Sequence, residues 1–112
     1  MICNRFDVVV VPFPFTDMPA AKRRPALVLT REEFNRHGHS IMAMITSKRK
    51  PPWPGDTPLE SFEKAGLKVP CIIRLKLFTL DNRLIQRIPG SLSKTDAAAV
   101  ESNLRSFLMT QA

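Results

Sequence analysis

Residues 7–13 read DVVVVPF and residues 25–30 read PALVLT. The four consecutive valines, Val8 to Val11, favour a strand, because branching at Cβ restricts the side chain in a helix and suits a pleated surface. The run is apolar without alternation, so it predicts a strand buried on both faces. Pro12 and Pro14 lack a backbone N–H and are expected to end its ladder pairing. Pro25 suits the first position of a second strand over 25–30. Between the two strands, TDMPAAKRR reads as a loop.

Outward from this pair the pattern stays mostly β. Residues 32–36 allow one helical turn, closed by Gly38, and SIMAMIT at 40–46 reads as a third strand. The following stretch, SKRKPPWPGDTP, combines three consecutive cations with four prolines and is expected to be a long loop. Long loops in small domains are often functional. Residues 59–66 suggest a short helix closed by Gly66. PCIIRLKLFT at 70–79 predicts a strand with Ile73, Leu75 and Leu77 on one face and Arg74, Lys76 and Phe78 on the other. A further short strand is expected over 84–88. Ser93 and Asp96 form a capping-box-like start to the last element. Ala97, Val100, Leu104, Phe107 and Leu108 then recur at helical spacing on one face. The sum is mainly β with a C-terminal α-helix: five or six short strands in a strongly bent antiparallel sheet or barrel.

Length and composition narrow the function. The 112 residues suit one domain, 1–112, and exclude a dinucleotide-binding enzyme built from two βαβ halves and any (β/α)₈ barrel. Lys and Arg number 17 against 10 acids, a net charge of +7 that favours an anionic partner. Cys3 and Cys71 stand far apart and fit a reducing cytoplasm, with Cys71 a small core residue. His37 and His39 read as turn residues, and no ligand cluster completes a metal site. No apolar run approaches the ~20 residues that span a bilayer, and no signal peptide is evident. No membrane association, metal or cofactor is expected.

The chemistry-bearing residues gather at strand and loop junctions. Lys22, Arg23 and Arg24 enter the second strand. Thr46 and Ser47 close the third and lead into Lys48, Arg49 and Lys50. Arg74 and Lys76 lie on the polar face of the later strand. If the two loops share a rim, these cations surround two hydroxyls and suit a phosphate backbone. Phe15 and Trp53 add flat surfaces for unstacked bases. Plainer readings stand beside these. The cations suit a solvated edge that discourages aggregation. Thr46 suits a strand end, Trp53 a pin between loop and core, and Phe13 and Phe15 the core itself. Phosphate-loop, nucleophile-elbow and clustered-carboxylate signatures are absent from the sequence.

VVVVPFPFTD followed by KRRPALVLT resembles the N-terminal half of the PemK/MazF type II toxins. AMITSKRK resembles their third strand and its exit, WPGDTPLE a PemK-like branch, and RLKLFTLDNRLIQRIPGSLSKTD the approach to their final helix. The resemblance covers about residues 4–109. It implies an SH3-like barrel acting as a homodimer. It also implies a metal-independent, sequence-specific endoribonuclease toxin that cuts single-stranded RNA and is neutralised by a cognate acidic antitoxin. The family's Arg before the Pro of the second strand is Arg24 here, and its Thr at the end of the third strand is Thr46. These two carry over as the catalytic pair. Lys22, Arg23, Ser47, Lys48, Arg49, Lys76, Phe15 and Trp53 are the expected substrate contacts. Many MazF proteins have Glu-Gln-Ile-Arg where this chain has Leu75 to Phe78, so Lys76 replaces a Gln-type base contact. Asp81 reads as a turn or cap residue. Three alternatives remain open: an SH3-like barrel that binds RNA without cutting it, a CcdB-type gyrase-binding toxin, and a degenerate toxin retained without activity. The second depends in CcdB on a C-terminal Trp-Gly-Ile, whereas this chain ends Met109-Thr110-Gln111-Ala112.

Overall fold

The valine run forms a strand whose two faces enter two different cores. In the computed structural model, which describes residues 1–12, 22–48 and 50–109, β1 spans Asp7–Pro12. Val9 and Val11 pack with Ala26, Val28, Met42, Phe78 and Leu80. Val8 packs on the opposite side with Leu27, Ala43, Ile45 and Ile73. Phe15 and Arg49 lie outside the described residues.

β2 spans Arg23–Val28, β3 His39–Thr46, β4 Thr57–Pro58, β5 Ile72–Asp81 and β6 Arg87–Ser91. They form one antiparallel sheet in the order β4-β5-β3-β2-β1-β6, curled into a half-barrel. The expected mainly β fold with a C-terminal helix is therefore present. β2 starts two residues earlier than expected, with Arg24 opposite Val11 and Arg23 opposite Pro12. Pro25 is accommodated inside the strand because β3 pairs with β2 only from Ala26 onward. On that side Pro25 is an edge position, where a missing N–H is tolerated. β2 also ends before Thr30, which turns away to join a buried polar cluster around Asn35. The single turn α1, Glu32–Asn35, carries that residue inward. Asn35 Nδ2 donates to the Cys3 and Thr30 carbonyls (both 2.9 Å), and the Thr30 hydroxyl donates to Asn35 Oδ1. Ser40 Oγ donates to Asn82 Oδ1 (2.7 Å), and Asn82 Nδ2 donates to the Asn35 carbonyl. Buried amides so paired add specificity without an unmet donor.

Two expected elements differ. Residues 59–66 form no helix, with turns over 62–66 only, and residues 84–88 are not one strand. A 3₁₀ turn at Asn82–Leu84 precedes β6, which contains Pro89 and Gly90. β6 is an edge strand with an irregular register against Val8 to Val10, so Pro89 interrupts no continuous ladder. A Cβ at Gly90 would strike the backbone of Lys64 to Gly66, so the 62–67 turn needs that glycine to approach β6. Asp81 caps the 3₁₀ turn, as its position suggests, and its ion pair and hydrogen bonds with Arg83 hold its carboxyl down to about 2.

α2 spans Lys94–Leu108 and lies against the Val8–Leu27–Ile73 core through buried Val100, with Ala97 and Leu104 beside it. Ser93 Oγ accepts from Asp96 N (3.1 Å), as the capping pattern predicts. The Asp96 carboxylate does not complete a capping box. It is 1% exposed and accepts instead from Glu60 N (2.9 Å) and Ser61 N (3.0 Å). This tertiary bond draws the backbone at 60–61 toward α2 rather than into a helix of its own. Phe107 and Leu108, expected on the buried face, are 55% and 51% exposed. At 1.5 Å per residue α2 is about 22 Å long, and its last turn runs past the core that Val100 anchors. Cys3 and Cys71 are both buried free thiols, and burial pushes each above its ordinary pKa.

Asp96→Ala leaves two backbone donors without their carboxylate and also exposes the 60–61 backbone to water. The expected cost is about 3 kcal/mol, as charge-assisted bonds are worth about 1.5–3 each. Urea unfolding followed by far-UV circular dichroism measures it. A midpoint equal to wild type would contradict this role.

Candidate functional site

The start of β2 and the end of β3 lie at one end of the sheet; the expected loop before β2 falls mostly outside the described residues. Ala26 pairs with Met44, Leu27 with Ala43 and Val28 with Met42. Arg24 and Thr46 each stand two residues beyond the Ala26–Met44 pair toward that end, where β2 and β3 are no longer paired. Both follow the face of Ala26 and Met44, away from α2, because side chains two apart on a strand share a face.

Their donors are suitably placed. Arg24 is half-buried, and its Nε–H is buried with no hydrogen-bond partner among the described residues. Thr46 is 8% exposed, and its Oγ1 accepts from Lys48 N (3.1 Å). That bond uses a lone pair and leaves the hydroxyl proton for an acceptor. Lys22, Arg23, Ser47, Lys48 and Lys50 are exposed around this end. None of these cations joins an ion pair among the described residues. The result is a half-buried guanidinium and a fixed hydroxyl, flanked by unneutralised positive charge.

β5 departs from simple alternation. Met44 pairs with Arg74, yet the adjacent Ala43 pairs with Leu77. Leu75 and Lys76 therefore bulge out of the ladder. Ile73 and Leu77 still pack on the α2 side, but Leu75 turns against Gly55. A Cβ at Gly55, whose φ is +81°, would collide with Leu75. Trp53 seats on the bulge: its Nε1–H donates to the Leu75 carbonyl (3.2 Å), and Lys76 Nζ lies 4.5 Å from its ring centre. Trp53 is thus pinned to the sheet and still 41% exposed. Pinning and surface presentation, alternatives from sequence, coexist.

Arg74 is the correction. The sequence sets it among the phosphate-facing cations, but it is 7% exposed and faces inward. Its Nε and Nη2 donate to Asp56 Oδ1 (3.1 Å) and Oδ2 (2.9 Å), and Nη2 also donates to the Lys48 and Pro51 carbonyls (3.5 and 3.2 Å). Asp56 was not singled out from sequence. The signal for it is the Trp-Pro-Gly-Asp turn, in which Trp53 N donates to Asp56 Oδ2 (3.0 Å) and Asp56 N to the Trp53 carbonyl (3.1 Å). Burial pushes the Asp56 carboxyl up. The hydrogen bonds from Arg74 and Trp53 N and the Arg74 charge outweigh burial and hold it below its usual value. The same pairing raises Arg74. Among the described residues no group of His, Cys, Asp and Glu is arranged to hold a metal ion. No helix among them is long and apolar enough to cross a membrane.

Residues 4–108 match the model of the PemK-like, MazF-like toxin family of type II toxin–antitoxin systems. A search of curated protein sequences finds no match. Among solved structures, MazF from Deinococcus radiodurans has a TM-score of 0.75 at 24% identity, over 98% of this chain and 99% of that one. A MazE–MazF structure from the same organism scores 0.77 at 23% identity, over 99% and 100%. An endoribonuclease in complex with its cognate antitoxin, from a mycobacterial species, scores 0.76 at 14% identity, over 98% of each chain. At these identities the likeness is one of fold.

A carboxyl with a lowered folded pKa stabilises fully above its unfolded value, here 3.8, and loses that contribution as pH falls through the lowered one. The wild type is expected to exceed Asp56→Asn in urea midpoint at pH 7 and pH 5. The gap should narrow below about pH 3.8. A gap that widens with acidification would reverse the assignment.

Proposed function

The chain belongs to the PemK-like, MazF-like toxins of type II toxin–antitoxin systems, and on that premise we propose that it is a metal-independent endoribonuclease cutting single-stranded RNA at a preferred sequence. The observation that carries this reading is that Arg24 near the start of β2 and Thr46 at the end of β3 lie at the same end of the sheet, with the Arg24 Nε–H unpartnered among the described residues and the Thr46 hydroxyl proton unengaged by its bond from Lys48 N. The ribose 2′-oxygen attacks the adjacent phosphorus as the bond from phosphorus to the 5′-oxygen breaks. The 2′-hydroxyl proton passes to solvent, the leaving oxygen takes one up, and a 2′,3′-cyclic phosphate and a 5′-hydroxyl remain. RNA brings its own nucleophile, so the protein aligns it and stabilises charge on the phosphate. Arg24 donates its guanidinium fork to the non-bridging oxygens, and Thr46 adds its hydroxyl. Guanidinium, with a pKa above ~12, stays charged and acts electrostatically rather than as a base. Ser47 supplements the pair, Lys22, Arg23 and Lys48 hold flanking phosphates, and Trp53 stacks a base beside Lys76, worth about 1–3 kcal/mol. Phe15 and Arg49 complete the proposed contact set.

The same positive rim suits an acidic antitoxin segment that lies across it and excludes RNA. The mycobacterial complex and the MazE–MazF structures support such a partner. One chain of this size offers a shallow face, so the working unit is a homodimer in which two 1–112 domains form a groove. This reading sets its work in the cytoplasm, where Cys3 and Cys71 stay reduced.

The test is end-mapping of a long RNA incubated with the protein in EDTA. Cleavage at recurring sites is expected, with no cut at a 2′-deoxy scissile nucleotide. Arg24→Ala and Thr46→Val should each slow cleavage about 10²–10³-fold, the usual loss for one charge-stabilising donor. Full activity in Arg24→Ala would remove Arg24 from the site. RNA binding without any cleavage would favour the non-catalytic barrel, and gyrase trapping the CcdB-type reading.

A further inference from the structure

Arg74 is the only Lys or Arg buried among the described residues, and its recorded hydrogen bonds all run to the 48–56 loop. A buried ion pair is a poor source of stability, because desolvating two charges offsets most of their attraction. Its consequence here is geometric. One guanidinium holds the carboxylate at the loop's end (Asp56, 2.9 and 3.1 Å) and a carbonyl further back (Pro51, 3.2 Å), and its Nη2 reaches as far as a carbonyl at the loop's start (Lys48, 3.5 Å). Lys48 in turn donates its N–H to Thr46 Oγ1, so the peptide held by Arg74 follows the one that orients the hydroxyl. Asp56 Oδ2 accepts from both Arg74 and Trp53 N, so the same carboxylate sets the backbone that carries the indole. The indole then bonds to Leu75, the residue after Arg74.

We propose that Arg74 and Asp56 are a positioning pair for RNA cleavage: they do not touch substrate, but fix the Thr46 hydroxyl and the Trp53 ring relative to each other. This rests on the endoribonuclease reading above and names the residues that hold its site in register. Thr46 orientation governs the chemical step, whereas Trp53 placement governs how RNA is held. Loss of the pair therefore lowers kcat and raises KM together. A displacement of about 1 Å at a reacting group can cost 100-fold in rate.

The experiment measures cleavage of an RNA oligonucleotide carrying a mapped site, with Asp56→Asn, Arg74→Lys and the double variant. Thermal melting and emission of Trp53, the sole tryptophan, are recorded alongside. Asp56→Asn keeps the shape and loses the charge; Arg74→Lys keeps the charge and loses the fork. Each single change is expected to lower kcat/KM about 10–100-fold, in both parameters, with a cooperative melt retained and Trp53 emission shifted. The double variant is expected to be no worse than the poorer single, because the two residues act as one unit. Folded variants with wild-type kcat, KM and emission overturn the proposal, as do fully additive effects. If the pair variants do not fold, Asp56→Glu, which keeps the charge and moves the carboxylate by one methylene, decides. A lowered kcat with a raised KM and shifted Trp53 emission supports the proposal, and wild-type kcat, KM and emission overturn it. Failure of the wild type to cut any RNA overturns the endoribonuclease reading instead. Binding of a 2′-deoxy oligonucleotide, read by Trp53 emission, then tests the pair separately: weaker binding in Asp56→Asn supports it, and equal binding overturns it.

Discussion

A sheet that is apolar on both faces must be covered twice, and the described residues contain one long helix with which to do it. α2 covers the face of Val8, Leu27 and Ile73. Curling covers the other, bringing Val9, Val11, Met42 and Phe78 together with Cys3 and Ile85 from flanking segments. Burial of apolar surface at roughly 25 cal/mol per Å² drives both packings. The second face carries its apolar residues along most of β2 and β3, and Arg24 and Thr46 extend it at one end. Polar groups collect there because a face already closed elsewhere leaves only its margin to water and ligand.

The positive charge divides by burial into two kinds. Lys22, Arg23, Lys48 and Lys50 stand in water without ion pairs among the described residues, so their field reaches outward over about a Debye length, ~8 Å at physiological salt. Arg74 contributes almost nothing to that field. Asp56 neutralises it, and its Nη2 also donates to two loop carbonyls. Charge counting treats these residues alike; burial separates attraction of a partner from construction of the surface it meets.

The β5 bulge connects the two. Two residues outside the ladder expose the Leu75 carbonyl and Lys76 side chain to the neighbouring loop, and both meet Trp53. A regular strand would send Leu75 and Lys76 to alternate faces of the sheet and leave the indole without either contact. Gly55 completes the seat: its φ of +81° favours glycine, and a Cβ there would push the Leu75 side chain aside.

What the sequence determined by itself is what short-range chemistry dictates. Branched valines made β1 a strand buried on both faces, Ser93 opened α2, the proline-rich stretch made a loop, and the quoted segments carried the family resemblance that singled out Arg24 and Thr46. Tertiary structure decided whatever depends on distant partners. Asp96 bonds to residues 60–61 rather than to its own helix end, so the expected helix at 59–66 did not form. Arg74 turned inward because Asp56 lies there, 18 positions away in the chain. β2 took in Pro25 because β3 begins to pair only at Ala26. In each case a local pattern offered a side chain two acceptable environments, and the choice fell to a neighbour that the fold, not the sequence, brings within hydrogen-bonding distance.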